Sequence, residues 1–203
     1  VCPYFTDEAE KHRGHWRELF ETDQPLHLEL GCGKGRFTAE TAAQNPDVLL
    51  IAVEMVPDAM VVAMERCRDA GLTNVFFVCA NARELPEFFE SGEVDRIYIN
   101  FCDPWPKSRD AKFRLTAPGF LRLYGDVLPL GGQIHFKTDN EDLFDWSIEQ
   151  FKEYGLEIIF YTRDLHSSEL AATNIVTEYE KRFTEMGQNI FSAHVKFPVK
   201  ASE

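Results

Sequence analysis

The sequence predicts an open, mostly parallel α/β sheet of about seven strands with helices on both faces, organised as one domain over residues 1–203. Three observations carry this. Short apolar runs alternate with stretches of helical period, the pattern of right-handed strand–helix–strand crossovers. Several runs are apolar at nearly every position, as suits parallel strands buried on both faces. The first five runs also end in acidic, amide or glycine-rich groups, at the edge where open α/β sheets bind ligands. A hydrophobic fraction of 44% with 17 Phe is ample for a core in a chain of this length.

Element by element, residues 7–20 are read as a helix within an N-terminal helical segment, 1–24. The chain starts at Val1 without a methionine and is expected to be truncated upstream. Strands are read in "LHLEL" (26–30), "VLLIAV" (48–53), "VFFVCA" (75–80) and "RIYINF" (96–101), then "QIHFKT" (133–138), "LEIIFYT" (156–162) and "FSAHVKF" (191–197). Helices are read at 35–44, 57–70, 115–128, 141–154 and 177–186, with Pro118 marking where the third could break. The last two strands could close the sheet as an antiparallel pair across the 28 residues between them.

Bulk properties narrow the function classes. With 21 Lys+Arg against 34 Asp+Glu the formal net charge is −13, which disfavours general nucleic-acid binding but not one local basic patch. Cys2, Cys32, Cys67, Cys79 and Cys102 stand singly, without C-x-x-C pairs or Cys/His clusters, so neither a metal nor a disulfide framework is expected. Single cysteines suit a reducing cytoplasm. No apolar run approaches the ~20 residues that span a bilayer, and the N-terminus lacks a signal pattern.

The strand ends read Glu29 followed by "GCGKG", then Glu54, Asn81, Asp103 and Asp139. Helix capping is an equal explanation for Asn81 or Asp139 alone, but explains two glutamates at strand ends less well. In "ELGCGKGRF" the glycines at 31, 33 and 35 allow close backbone approach to a ligand. The third glycine of a dinucleotide fingerprint would fall where Arg36 stands, and a Gly-Lys-Ser/Thr phosphate loop is absent, so a dehydrogenase is disfavoured. Glu54, 19 residues after Gly35, is placed to accept from two ribose hydroxyls. A ribose acid without a phosphate signature suits S-adenosyl-L-methionine, whose positive charges match Glu29. Asn81 is placed at the adenine edge.

One stretch stands apart from the acidic remainder: "NFCDPWPKSRDAKFR", residues 100–114, with Trp105 between two prolines and four cations after it. Together with "LHLELGCGKGRF", "IAVEM", "FKTDN" and "TEYEKRF", it resembles the tRNA (guanine-N7-)-methyltransferases over most of the chain. The resemblance implies a Rossmann-like class I methyltransferase fold and a cofactor site of Glu29, Gly31, Gly33, Glu54, Asn81 and Asp103. It implies Asp103 as the catalytic position, and Lys107, Asp139 and Thr177, Glu178, Tyr179 and Glu180 as substrate contacts. Arg109, Lys112 and Arg114 fall in the RNA-contacting segment. Two departures are visible: Asn81 stands where the family commonly has Asp, and Cys102 where proline or serine is usual.

The implied chemistry is methyl transfer to guanine N7 in the tRNA variable loop. That nitrogen carries an in-plane lone pair and no proton, so no strong base is needed, and positive charge develops on the purine. A carboxylate at Asp103 would stabilise it. Lys107 could donate to guanine O6 or to a phosphate. Glu180 could read the Watson–Crick edge, or could simply complete a capping box with Thr177. Trp105 is expected to pack into the core beneath the loop. Lys107, Arg109, Lys112 and Arg114 would form a cationic strip for tRNA, in a protein working as a monomer or homodimer. The alternatives are a methyltransferase of proteins or small metabolites, and a noncatalytic binding module, the latter disfavoured because the cofactor residues are present.

Overall fold

The computed structural model describes residues 5–6, 8–20 and 23–198. Asp7, at the start of the expected first helix, and Cys2 lie outside the described residues. Eight strands form one sheet: β1 (Phe5–Thr6), β2 (Leu26–Leu30), β3 (Leu49–Glu54), β4 (Val75–Cys79), β5 (Arg96–Asn100), β6 (Gln133–Thr138), β7 (Glu157–Thr162) and β8 (Phe191–Lys196). Their order is β1-β4-β3-β2-β5-β6-β8-β7. From β1 to β6 every pairing is parallel, while β8 runs antiparallel to both β6 and β7. The antiparallel closing pair is therefore present, with β8 inserted inside β7 rather than at the edge. The eighth strand, missed because only two residues of it pair, is β1 against β4.

Among the described residues the helices are α1 (Arg36–Gln44), α2 (Pro57–Asp69), α3 (Leu85–Phe88), α4 (Pro118–Val127), α5 (Glu141–Glu153) and α6 (Glu178–Glu185). Pro118 does not break a helix but starts one, at the position where a missing N–H costs nothing. The expected helix over 7–20 is corrected to two 3-10 turns, Ala9–His12 and Trp16–Phe20. Gly14 between them takes φ +80, and the Glu93 carboxylate accepts from the Gly14 and Trp16 amides, so that helical hydrogen bonding gives way to a tertiary tie. Trp16 is fully buried and its ring stacks on Phe89 at 5.5 Å. No described helix is long and apolar enough to cross a membrane.

The two faces of the sheet differ. One is apolar throughout: Leu26, Leu28, Ile97, Ile99, Ile134 and Phe136 pack with residues of α4 and α5 such as Leu121, Tyr124, Phe144 and Phe151. On the other face, α1 and α2 cover the β2–β3–β4 half through Ala39, Ala42, Met60, Ala63 and Cys67 against Leu50, Ala52 and Phe77. The other half of this face, on β5, β6 and β8, presents polar side chains at every second position. These strands alternate, unlike the strands of the other half, which are buried on both faces.

The chain leaves β2 toward β3 on one side and returns to β5 on the other. That reversal opens a crevice at the carboxyl ends of β2 and β5. The glycine loop turns there. Gly35 takes φ +72 at the start of α1, and a Cβ added to it would lie 2.4 Å from the Ala63 Cβ and 2.7 Å from its Cα. Gly35→Ala therefore meets both left-handed strain and a backbone clash between α1 and α2. Urea denaturation is expected to show a loss of about 2–5 kcal/mol.

Candidate active site

Because β2, β3 and β5 run parallel and adjacent, their carboxyl ends meet at one edge. Glu29 on β2, Glu54 at the end of β3, and the residues following β5 thus share one rim. A cavity of about 400 Å³ opens on this rim, lined by Glu29, Gly31, Gly33, Phe37, Asn100, Phe101 and residues of α6 and its cap. Glu54, on the same rim, accepts from the Gly33 amide at 2.9 Å and from the Val56 amide at 2.9 Å. Each carboxylate oxygen of Glu54 keeps lone pairs for a further donor.

Glu29 is 2% exposed and accepts a 2.6 Å hydrogen bond from the Thr38 hydroxyl. Burial raises its pKa to about 7, against the pull of the Thr38 hydrogen bond and the Lys137 charge. A buried carboxyl poised near neutrality, with no cation in direct contact, is suited to receive one from a ligand.

Asn81 does cap the turn that follows β4, accepting from the Arg83 amide at 2.9 Å, while Glu84 accepts from its backbone. Its amide nitrogen lies 3.1 Å from the Met55 sulfur. Asp139 is not a cap: Asn140 takes that role for α5, accepting from the Leu143 amide.

The loop after β5 carries backbone strain that no sequence pattern announces. Phe101 has φ +52 and Trp105 φ +42, the two positive-φ non-glycine residues among those described, and they bracket Asp103. Such conformations cost of order 1–3 kcal/mol each and persist where the surroundings impose them. Asp103 is exposed, and among the described residues its carboxylate forms no hydrogen bond or ion pair. Trp105 does not enter the core as expected. It is 39% exposed and rests on Phe113, ring centroids 5.2 Å apart.

Two expected substrate contacts are corrected. Arg114 is buried: its guanidinium donates to the Pro104 and Trp105 carbonyls at 2.8 and 3.0 Å and lies 4.4 Å over the Trp146 ring. It clasps the strained loop and does not join an exposed cationic strip. Glu180 is fully buried, with one oxygen accepting from Lys137 at 2.7 Å and from the Thr177 amide, and the other from Asn174. Neither oxygen is left to read a base edge. Thr177, also buried, completes the capping box.

The remaining positions are accessible. Lys107, Arg109 and Lys112 are exposed on the 3-10 segment around Ser108–Phe113. Tyr179 is 61% exposed and lies parallel to Phe101 at 6.4 Å. Glu178, which lines the cavity, pairs with Arg66 of α2 at 2.7 Å. Lys137 went unread in the sequence although it donates to Asn174, Ile175 and Glu180 and ties α6 to the sheet. The period-two polar pattern of "QIHFKT" was its signal. Among the described residues no group of three or more His, Cys, Asp or Glu could hold a metal.

Comparison with known proteins agrees with this geometry. The family model described as "Putative methyltransferase" matches residues 23–193. A tRNA (guanine-N(7)-)-methyltransferase of Geobacillus sp. (strain WCH70) is 44% identical over 97% of this chain and 89% of that one. The Bacillus subtilis (strain 168) protein of the same name is 45% identical over 92% and 87%. Among solved structures, the 16S rRNA methyltransferase KamB superposes with a TM-score of 0.68 at 17% identity, covering 96% of this chain and 95% of that one. That likeness shows the fold, a Rossmann-like methyltransferase sheet.

Glu29 yields a stability prediction. Its folded-state pKa near 7 lies above its ordinary 4.5, so the folded chain holds this proton more tightly than the unfolded chain. Stability from this group is full below about pH 4.5 and lost as pH rises through about 7. Denaturation midpoints measured at pH 5 and pH 8 should show Glu29→Gln abolishing that decline, with a gain at pH 8 of up to about 3 kcal/mol.

Proposed function

The chain belongs to the tRNA (guanine-N7-)-methyltransferase family, and from that premise we propose that it methylates N7 of a guanosine in the variable loop of tRNA, in the cytoplasm. The observation that carries the reading is the shared strand-end rim: the buried Glu29 lines the cavity there, and Asp103 follows β5 at the same edge as an exposed, unpartnered carboxylate on a strained loop.

That cavity fits S-adenosyl-L-methionine. Glu29 supplies the carboxylate for its amino or sulfonium charge, the Gly31–Gly33 turn lets backbone approach it, Glu54 faces the ribose hydroxyls and Asn81 the adenine edge. When bound, the cofactor supplies an electrophilic methyl on a sulfonium centre. The chain's own groups then act by position and charge. Asp103 faces the purine, where positive charge grows as N7 spends its lone pair, and stabilises it in a partly desolvated site. Phe101 and the exposed ring of Tyr179 offer flat surfaces for the target base, and Asp139 follows β6, the strand next to β5. Holding nucleophile and methyl together supplies much of the remaining acceleration.

RNA affinity is assigned to Lys107, Arg109 and Lys112. Arg109 is weakly engaged, 3.8 Å from Asp110 with its side chain 78% exposed. The acidic remainder of the surface, with net charge −13 overall, disfavours other docking orientations.

Two measurements test this. Asp103→Ala, assayed with labelled cofactor and unmodified tRNA transcript followed by nucleoside analysis, should lower N7-methylguanosine formation roughly 100-fold or more while cofactor binding persists. Full activity in that variant removes the assigned role. Replacing Lys107, Arg109 and Lys112 together by alanine should weaken tRNA binding and reduce the slope of log affinity against log salt by roughly 2. Unchanged affinity defeats the cationic strip.

A further inference from the structure

A second cavity, of about 500 Å³, lies over the polar half of the sheet, between α1 and the segment 165–175. Its floor is built by register. Tyr98, His135 and His194 form one row across β5, β6 and β8, with Asn100, Lys137 and Ser192 above them and Arg96 below. A packed interior would have apolar residues here. The period-two alternation instead delivers a polar side chain from each strand to the same space.

Three buried polar atoms among the described residues have no hydrogen-bond partner: Thr41 Oγ1, Arg96 Nε and Asn100 Nδ2. All three residues line this cavity, with Asn100 at its boundary with the cofactor cavity, which it also lines. Unpaired buried donors cost about 1–3 kcal/mol each, more when charged, so three converging on one space call for a ligand or ordered water. Arg96 donates at 3.4 Å to the Tyr98 hydroxyl, and no Asp or Glu lines the cavity. Lys137 is neutralised by Glu180, so Arg96 is the charged donor this lining offers a ligand, together with surplus neutral donors. His135 and His194 stack face to face at 3.6 Å, and both are kept neutral by burial, with Arg96 adding to the effect.

Size and walls narrow the ligand further. Arg96 and Asn100 are four residues apart on one strand, about 13 Å at the backbone, so a lone phosphate reaches one of them and leaves the other unpaired. Phe37, Tyr98 and the imidazole pair supply flat walls between the two ends, and the volume lies within the usual range for a small organic ligand. We infer that this cavity binds a nucleoside monophosphate, with the phosphate on Arg96, on the side of Thr41, and the base end against Asn100. The site adjoins the cofactor cavity, sharing Phe37 and Asn100 with it, and its occupancy is read at His135 and His194, which line this cavity and not the other.

The test uses the whole protein with labelled histidine, following the imidazole signals of His135 and His194 by NMR as a nucleoside 5′-monophosphate is titrated. Both signals should move together and saturate at millimolar concentration or below. Inorganic phosphate should saturate at least tenfold later, and the nucleoside without phosphate later still. Arg96→Gln should raise the half-saturating concentration roughly tenfold or more. Thr41→Val, a milder change that leaves the charge in place, should raise it severalfold and serves if Arg96→Gln fails to fold. Histidine signals that stay fixed in the wild-type protein mark a water-filled cavity and overturn the inference. Equal shifts in the wild type and both variants place the nucleotide elsewhere and overturn it too.

Discussion

A buried ammonium–carboxylate pair holds the working edge of this molecule together. Lys137 projects from β6 and Glu180 from α6, 2.7 Å apart and almost without exposure. Burial lowers the Lys137 pKa and the Glu180 charge opposes that fall. Desolvating two charges is expensive, and the pair is tolerable only because every remaining donor and acceptor is used: Lys137 also reaches Asn174 and the Ile175 carbonyl, while Glu180 also accepts from Thr177 and Asn174. An apolar pair would pack α6 as firmly but would not fix its register. The ionic network does, because each atom has one geometry that satisfies it. Through it the segment after β7 is folded back over the strand ends, setting the roof of the cofactor cavity on one side and the wall of the nucleotide cavity on the other.

Most of the sheet was legible in the sequence, for a physical reason. Strands such as 26–30 and 49–54 are buried on both faces, and apolar run length alone marks them. The errors fall where tertiary contacts override local pattern. Residues 9–20 have helical composition, yet the Glu93 carboxylate takes two of their amides and Gly14 breaks the turn. The polar half of the second face was present as "RIYIN" and "QIHFK". Its meaning depends on which strands are neighbours, and order β6-β8-β7 cannot be inferred from spacing across a long connection.

The site divides in the same way. Glu29 and Glu54 could be placed from sequence because parallel strands bring their carboxyl ends to one rim whatever the side chains do. Arg114 and Glu180 could not, because charge counts alone do not say which cations and acids face inward. Each lies in a charged stretch, "KSRDAKFR" or "TEYEK", where one member turns inward and leaves its neighbours for the solvent. In both cases the buried member is the one with backbone carbonyls or amides within reach, since a charge with several fixed partners survives desolvation better than one relying on a single ion pair.

The loop carrying Asp103 shows why that division serves the chemistry. A carboxylate meant to face a developing cation must stay free of internal partners, and a free acid on a mobile loop would relax toward the nearest donor. Here Phe101 and Trp105 are forced to positive φ on either side of it, and two prolines remove the amides that could have satisfied it locally. The strain is held by Arg114, whose guanidinium binds the carbonyls of Pro104 and Trp105 from within and is itself covered by the Trp146 ring. One cation of a basic stretch is thereby withdrawn from solvent so that one carboxylate can be kept in it. An arginine suits this place better than a lysine, because its planar fork reaches two carbonyls at once while its face packs on an aromatic ring.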